Sequence, residues 1–333
     1  EMSRGLGDVY KRQFVRRFAK VNRKRFLTYD EQISFLSEQK QLIIEDQEYA
    51  KRILFQTGYF ALVNGYKRIF KNPQTNKFQV GVRFEDVYGM YCFDRNLRSI
   101  LLKYILICEQ TIKSSLSYHF CQIYGEDQKA YLNPINYLQS ENHSRIIKKL
   151  IQKMSAQLNE NSSYYYIRHY VKRYQSVPFW VLVNTLTLGQ VSKMYSCQKS
   201  RVKIQICKDF GEIRENELER MLSIMTKFRN VCAHNDRLFN FKTQDALPDL
   251  LIHQMLQIPR RLGRYCCGKE DLFAQVIILK MLLQEEDFEW FYTELKQCFQ
   301  RHSVYQTILY QMGFPENWKE IANIKCRNDK DTL

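Results

Sequence analysis

Between Glu85 and Tyr124, apolar residues return at steps of three and four: Leu97, Leu101, Tyr104, Ile105, Cys108, Ile112 and Leu116. On an α-helix that spacing draws one stripe along a single face, whereas a half-buried strand would alternate. The pattern predicts one long helix, closed by Gly125. Asp94, Arg98, Glu109 and Lys113 stand at i, i+4 on its flank, where opposite charges can pair. Gly and Pro are scarce, 12 and 6 in 333 residues, and amphipathic stretches dominate the rest. The expected class is therefore all-α.

The same signals place the other elements. Thr28 and Glu31 form a T-x-x-E capping box ahead of "ISFL". A helix is predicted from Asp46 to Phe55. "TGYFALVNGYKRIF" (57–70) reads as helix, turn, helix, punctuated by Gly58 and Asn64-Gly65. "NPQTNKFQVGVRF" (72–84) reads as a loop. Polar helices are predicted from Arg145 to Leu158 and from Tyr164 to Tyr174. "VPFWVLVNTLTLGQVSKMY" (177–195) reads as a buried helix that starts at Pro178 and turns at Gly189, with Trp180 in the core. A helix from about Asn216 to Ala233 comes next, and the chain past Pro248 reads as more helices and a polar tail, "KCRNDKDTL". No repeat or composition shift marks a boundary, so residues 26–333 are expected to form one large helical domain. Residues 1–25 stand apart as a basic segment containing "RRFAKVNRKR" (16–25). Within them "DVYKRQ" (8–13) reads as a translated sequencing-library adaptor, which sets residues 1–13 aside as non-native.

Charge narrows the partners. Lys and Arg number 51 against 35 acidic residues, a formal net charge of +16. Such an excess favours an anionic partner, nucleic acid before an acidic membrane surface. The 22 Tyr and 21 Phe suit base stacking where they interleave with cations, although most belong in a helical core. Ten cysteines occur without a C-x-x-C pair, and no histidine clusters with them at ligand spacing. That usage points to reduced, mostly buried thiols in a cytoplasmic protein, with no metal and no cofactor. No apolar run reaches the length of a membrane span, so no membrane partner is expected.

The least packing-like stretch is "KFRNVCAHNDRLFNF" (227–241). At roughly 100° per residue, Asn230 and His234 lie nearly above one another, so the Asn amide could orient the imidazole. Arg229 is roughly 140° away from His234 around the same helix. The simplest way to bring the two together is a symmetric pair of helices from two subunits. Cys232 and Ala233 are small enough to admit a phosphate or a neighbouring backbone. The helix is expected to end at "HND", since Asn and Asp favour turns. This set suits RNA cleavage without a metal, with His234 as acid or base, Arg229 on the phosphate and Asn230 for orientation. Lys227 and Arg237 would extend a positive rim. Read as packing alone, the same residues are surface side chains near a helix end.

"FRNVCAHNDRLFN" (228–240) resembles the R-x4-6-H signature of HEPN ribonucleases, in the form where Asn follows Arg. "LTYDEQISFL" (27–36), "TGYFALVNGY" (57–66), "FDRNLRSILLKYILICEQTIKSSLSYHFCQIYG" (93–125) and "PFWVLVNTLTLGQVSKMY" (178–195) resemble the Abi-like abortive-infection proteins of the AbiD/AbiF type. The resemblance implies a HEPN-like helical bundle in an anti-phage or toxin role, associated with a small structured non-coding RNA. It gives Arg229, Asn230 and His234 the active-site roles. Only one copy of the motif is present, so a catalytic form should be a homodimer; the other reading is an RNA-binding module that does not cut.

"YYYIRHYVKRY" (164–174) offers a second candidate surface. Tyr165, Arg168, His169, Lys172 and Arg173 could combine stacking with phosphate contact, or could be the ordinary outer face of an amphipathic helix. "SRVKIQICK" (200–208) and "PRRLGRY" (259–265) read as basic surface. Glu109 and His119 read as a salt-bridged acid and a histidine at the core edge.

Overall fold

The structure, a computed structural model, describes residues 25–211, 213–302 and 306–325. The adaptor-like start, the basic segment up to its last residue and the polar tail after Lys325 lie outside them. Among the described residues the regular structure is helical apart from one two-stranded hairpin, so the chain is all-α as its sequence implies. It divides into two compact units, one up to Tyr88 and one from Gly89. The division falls inside a helix, where no shift of composition could mark it.

In the first unit, helix α1 (Tyr29–Ser34) opens on the expected capping box. The Glu31 amide donates to Thr28 Oγ1, and the Thr28 amide to the Glu31 carboxylate at 2.8 Å. Asp46 caps α2 (Gln47–Thr57), accepting from the Tyr49 amide at 2.8 Å. Gly58 ends that helix at φ 75°. The second expected break is absent. A wide turn over 60–64 runs straight into α3 (Gly65–Phe70), with Gly65 in helical backbone at φ −63°. An Asn-Gly pair permits a turn without demanding one, and burial of Leu62, Val63 and Tyr66 on one side keeps the helical path. Residues 72–83 form the predicted loop, with Asn76 at φ 56°.

The long helix α4 (Phe84–Tyr124) runs 41 residues and ends at Gly125, whose φ of 91° only glycine adopts freely. Every residue of its predicted stripe is 0 or 1% exposed. Tyr104 packs against Phe291, and Phe120 against Tyr137 and Phe179, with ring centroids 5.0–5.5 Å apart. The flank pairs form, Asp94 with Arg98 at 2.6 Å and Glu109 with Lys113 at 2.8 Å. All four side chains are buried rather than surface-exposed, because packing closes over both sides of the helix.

Among the helices that lead to the motif are α5 (Glu141–Gln157), α6 (Tyr165–Tyr174), α7 (Leu188–Ser196) and α8 (Ser200–Lys208), with single helical turns at Gln128–Tyr131 and Phe179–Leu182. The segment 177–195 breaks at Leu186 and Thr187 rather than at Gly189. Thr187 makes a capping box with Gln190 there, and Gly189 sits in the first turn of α7. Trp180, expected in the core, is 49% exposed. Phe179 takes the inward place beside it, stacked on Tyr131 at 5.3 Å. The motif helix is α9 (Glu215–Ala233). After it come α10 (Leu251–Met255), a hairpin of β1 (Arg260–Arg261) and β2 (Arg264–Tyr265), then α11 (Leu272–Leu282) and α12 (Glu285–Arg301). Ten of the eleven residues of α11 are buried, which makes it a central helix of this unit. The hairpin was not anticipated among the helices expected past Pro248.

Truncating the stripe tests this core. Leu101→Ala, at a site with no exposure, should cost about 3 kcal/mol of unfolding free energy in a urea titration.

Candidate functional site

Helix α9 turns Leu218, Met221, Leu222, Met225, Phe228 and Val231 inward and packs against α7, α8 and α11. Its approach to α7 is close, since a Cβ on Gly189 would stand 3.2 Å from Thr226 Cγ2. The other side, Arg220, Ser223, Lys227, Asn230 and His234, steps by three and four and is half-buried to exposed. The predicted end of the helix is where the sequence places it. The His234 amide bonds to the Asn230 carbonyl at 3.0 Å, and Asn235 turns left-handed at φ 56°. The Asp236 amide then reaches back to the Val231 carbonyl at 3.0 Å, closing the turn as left-handed helix ends commonly do.

The segment beyond this turn is held from below. Leu238 and Phe239 bury their side chains, which carries their backbone amides into the interior. Asp94 of α4 accepts both, from Leu238 at 3.0 Å and from Phe239 at 2.7 Å. Its charge is balanced by Arg98, which also donates to the Asp236 carbonyl at 3.2 Å. One buried ion pair therefore closes the backbone bonding of the segment that leaves the motif. Cys232 faces this region, and burial pushes its thiol up to about 12, so it is an inert packing residue. Only Ala233 of the two small residues is exposed.

The cations of α9 are not equivalent. Arg220 and Lys227 both bind Asp245, at 2.9 and 2.5 Å. Lys227's hydrogen bond, and then Ser223's, hold the Asp245 carboxyl below its ordinary range. Arg229 is half-buried; its Nε is shielded from solvent and has no acceptor. A buried guanidinium N–H left without an acceptor costs about 1–3 kcal/mol, a cost that an incoming anion would relieve. Arg237 leans over the Phe239 ring at 5.8 Å. His234 and Asn230 are exposed, and no hydrogen bond joins their side chains. Within one chain, then, the helix end presents the imidazole and the amide, while Arg229 lies around the helix from His234.

The second candidate surface is α6. Tyr165 is 75% exposed, and His169, Lys172 and Arg173 are exposed with it. Arg168 is committed elsewhere, donating to the Ser162 carbonyl at 2.6 Å. Tyr170 and Tyr174 join the row instead, with ring centroids 5.3 Å apart and the Arg173 guanidinium 5.6 Å over Tyr174. Sequence spacing alone could have found them, because 166, 170 and 174 are successive helical steps. Glu109 is paired with Lys113, and His119 with Asp209 at 3.0 Å, so both are structural as expected. Nine cysteines are described and none is in a disulfide. Among the described residues no group of three or more His, Cys, Asp or Glu stands together at metal-binding geometry. No described helix is long and apolar enough to cross a membrane.

These features define an all-α protein whose motif helix ends with a half-buried Arg229 and an exposed Asn230 and His234. The family model for Abi-like proteins matches residues 52–240, more than half of the chain, and the chain belongs to that family. The match takes in the long helix and the whole Arg-Asn-His stretch; the resemblance at 27–36 lies outside it. No curated protein and no solved structure gives a significant match.

The clamp under the motif can be tested directly. Asp94→Ala strands two buried amides and removes the carboxylate that balances the buried Arg98, which should cost about 3–5 kcal/mol in chemical denaturation. Hydrogen exchange should show protection lost first at Leu238 and Phe239.

Proposed function

We propose that this chain is a metal-independent endoribonuclease of the HEPN type, acting in an abortive-infection or toxin system against phage while bound to a structured non-coding RNA. Family membership supports the abortive-infection role. The observation that carries the chemistry is the contrast along α9. Arg220 and Lys227 share the Asp245 carboxylate, whereas among the described residues no acid pairs with Arg229, whose Nε has no acceptor and which adjoins the exposed Asn230. A guanidinium without an acid, on a helix whose end also exposes an imidazole, suits a phosphodiester that the two groups reach from paired copies of that helix.

In this reading His234 accepts the proton of a ribose 2′-hydroxyl as its oxygen attacks phosphorus. The bond to the 5′-oxygen breaks, and that oxygen takes a proton, leaving a 2′,3′-cyclic phosphate and a 5′-hydroxyl. Arg229 neutralises the charge that builds on the phosphoryl oxygens, as a two-pronged donor. Asn230 orients the imidazole once RNA or a second subunit closes over it. Two copies of α9 related by a two-fold axis would place Arg229 of one beside His234 of the other, with the exposed Ala233 permitting close approach. A second histidine would then be at hand to protonate the leaving oxygen. Arg237 and the α6 face of Tyr165, His169, Lys172 and Arg173 would bind flanking RNA, while Arg168 and Lys227 are held by the Ser162 carbonyl and Asp245.

Labelled stem-loop RNA incubated with the protein in EDTA should be cut, and His234→Ala should slow cutting roughly 10²–10⁴-fold while binding persists. Mixing Arg229→Ala with His234→Ala subunits should restore part of the activity, since a mixed dimer keeps one intact Arg–His pair. Binding without cutting in every condition assigns the chain the role of a non-catalytic RNA-binding module. The separation of Arg229 from His234 within one chain is what favours that alternative.

A further inference from the structure

The hairpin β1–β2, in "PRRLGRY" (259–265), breaks three local rules in four residues. Its turn places Leu262 at φ 51° and Gly263 at φ 77°. Two positive φ values are the pattern of a type I′ turn, which favours Asn-Gly and disfavours a bulky apolar residue at the first position. Leu262 is also 98% exposed, among the most exposed large apolar side chains described. Arg261 and Arg264 face one another directly across the strands, a like-charge pair, and both are exposed with no acidic partner among the described residues.

The base of the hairpin, in contrast, is firmly built. The Arg260 guanidinium lies 4.1 Å over the Tyr265 ring and binds Asp249 at 2.8 Å. Tyr265 stacks on His253 at 4.9 Å with the planes 15° apart. His253 is fully buried and fixed at both ring nitrogens: Nδ1 accepts from the Leu250 amide at 3.1 Å, and Nε2 donates to the Gly268 carbonyl at 2.8 Å. Asp249 holds Lys269 as well, at 2.5 Å. The chain that leaves the motif reaches the same base, since Thr243 and Leu247 donate to the carbonyls of Glu270 and Lys269. Unfavourable choices confined to the tip of a rigid support mark a place kept for binding rather than for folding.

We infer that this hairpin is a further RNA-contacting element, apart from the motif helix and α6, in which Arg261 and Arg264 take backbone phosphates and Leu262 wedges against a base at the end of a stem. The inference rests on the reading of this chain as an RNA-bound protein. Charge complementarity selects the partner, because two unpartnered guanidiniums flank a single apolar side chain. Arginines beside a small apolar wedge suit phosphates and an opened base step. A lipid surface would call for a broader apolar face than one leucine provides.

The test uses the full chain carrying His234→Ala, so that RNA stays intact, with a fluorescent stem-loop RNA as the probe. Adding Leu262→Asn creates the preferred Asn-Gly turn, so the melting temperature should hold or rise. RNA affinity should nevertheless fall about fivefold as the wedge contact is lost. Arg261→Gln with Arg264→Gln should weaken binding about tenfold and lower the slope of log affinity against log salt by about two. Unchanged RNA binding in both variants would overturn the inference and leave the nuclease proposal standing. Failure of the parent chain to bind RNA at all would overturn both. Capture by anionic phosphatidylglycerol vesicles that depends on Leu262, with RNA binding unaffected, would assign the hairpin to a membrane instead.

Discussion

A single buried carboxylate, Asp94, organises the region around the motif. It lies with no exposure on the long helix and accepts from Arg98, from the Leu238 amide and from the Phe239 amide. A buried charge is tolerable only when it is paired and hydrogen-bonded, and here both conditions are met by different parts of the chain. The guanidinium comes from the next turn of the same helix, and the amides come from a segment more than 140 residues later. The arrangement lets Leu238 and Phe239 enter the core as plugs while their backbone stays bonded. The turn at His234 and Asn235 is thereby pinned on both sides, by its own helix before it and by Asp94 after it. A catalytic or phosphate-binding side chain at a helix end needs that kind of support, because a fraying end would spread the imidazole over many positions.

Much of this was readable from residue order because it is local. The stripe of α4, the Thr28–Glu31 box, the close at Gly125 and the end of α9 each depend on residues within a turn or two of one another. The i, i+4 pairs on α4 were readable for the same reason, but their burial was not, since it depends on what packs over the flank. Asn64-Gly65 failed as a breaker because tertiary burial around Tyr66 outweighed a weak local preference. Trp180 failed because Phe179 and Trp180 compete for one inward position, and only the path of the preceding chain decides between them. The hairpin was invisible for a different reason: its turn carries Leu where the usual signal is Asn. For the candidate site, residue spacing alone brought Asn230 and His234 to one face. The distribution of acids around the cations, which sets Arg229 apart, depends on Asp245 arriving from a later loop.

That distribution gives the net positive charge a more specific meaning. An excess of basic residues by itself predicts only a diffuse attraction to anions. On α9, among the described residues, two cations share one aspartate and a third, Arg229, is paired with no acid. The exposed row on α6 works differently. There the cations alternate with Tyr165, Tyr170 and Tyr174, and stacking can supplement charge at little conformational cost. Under the proposed function the two surfaces would make distinct contacts, one with a phosphate at a fixed point and one with bases arranged along a helix.

Helix geometry also bears on assembly. Five residues apart, Arg229 and His234 cannot share one side of an ideal helix, and the turn at Asn235 does not swing the imidazole back, because His234 keeps near-helical backbone at φ −95° and ψ 9°. Bringing both groups to one phosphate from a single chain would require unwinding the last turn of α9, against the bonds from His234 and Asp236 and against the Asp94 clamp. Supplying the second group from another copy of α9 requires no such rearrangement, only a close approach at a small residue. Ala233, exposed and lacking any side chain beyond Cβ, occupies the position between them where that approach would occur. If the motif performs the proposed cleavage, the rigidity that protects it within one chain is the physical reason for a second copy to complete the site.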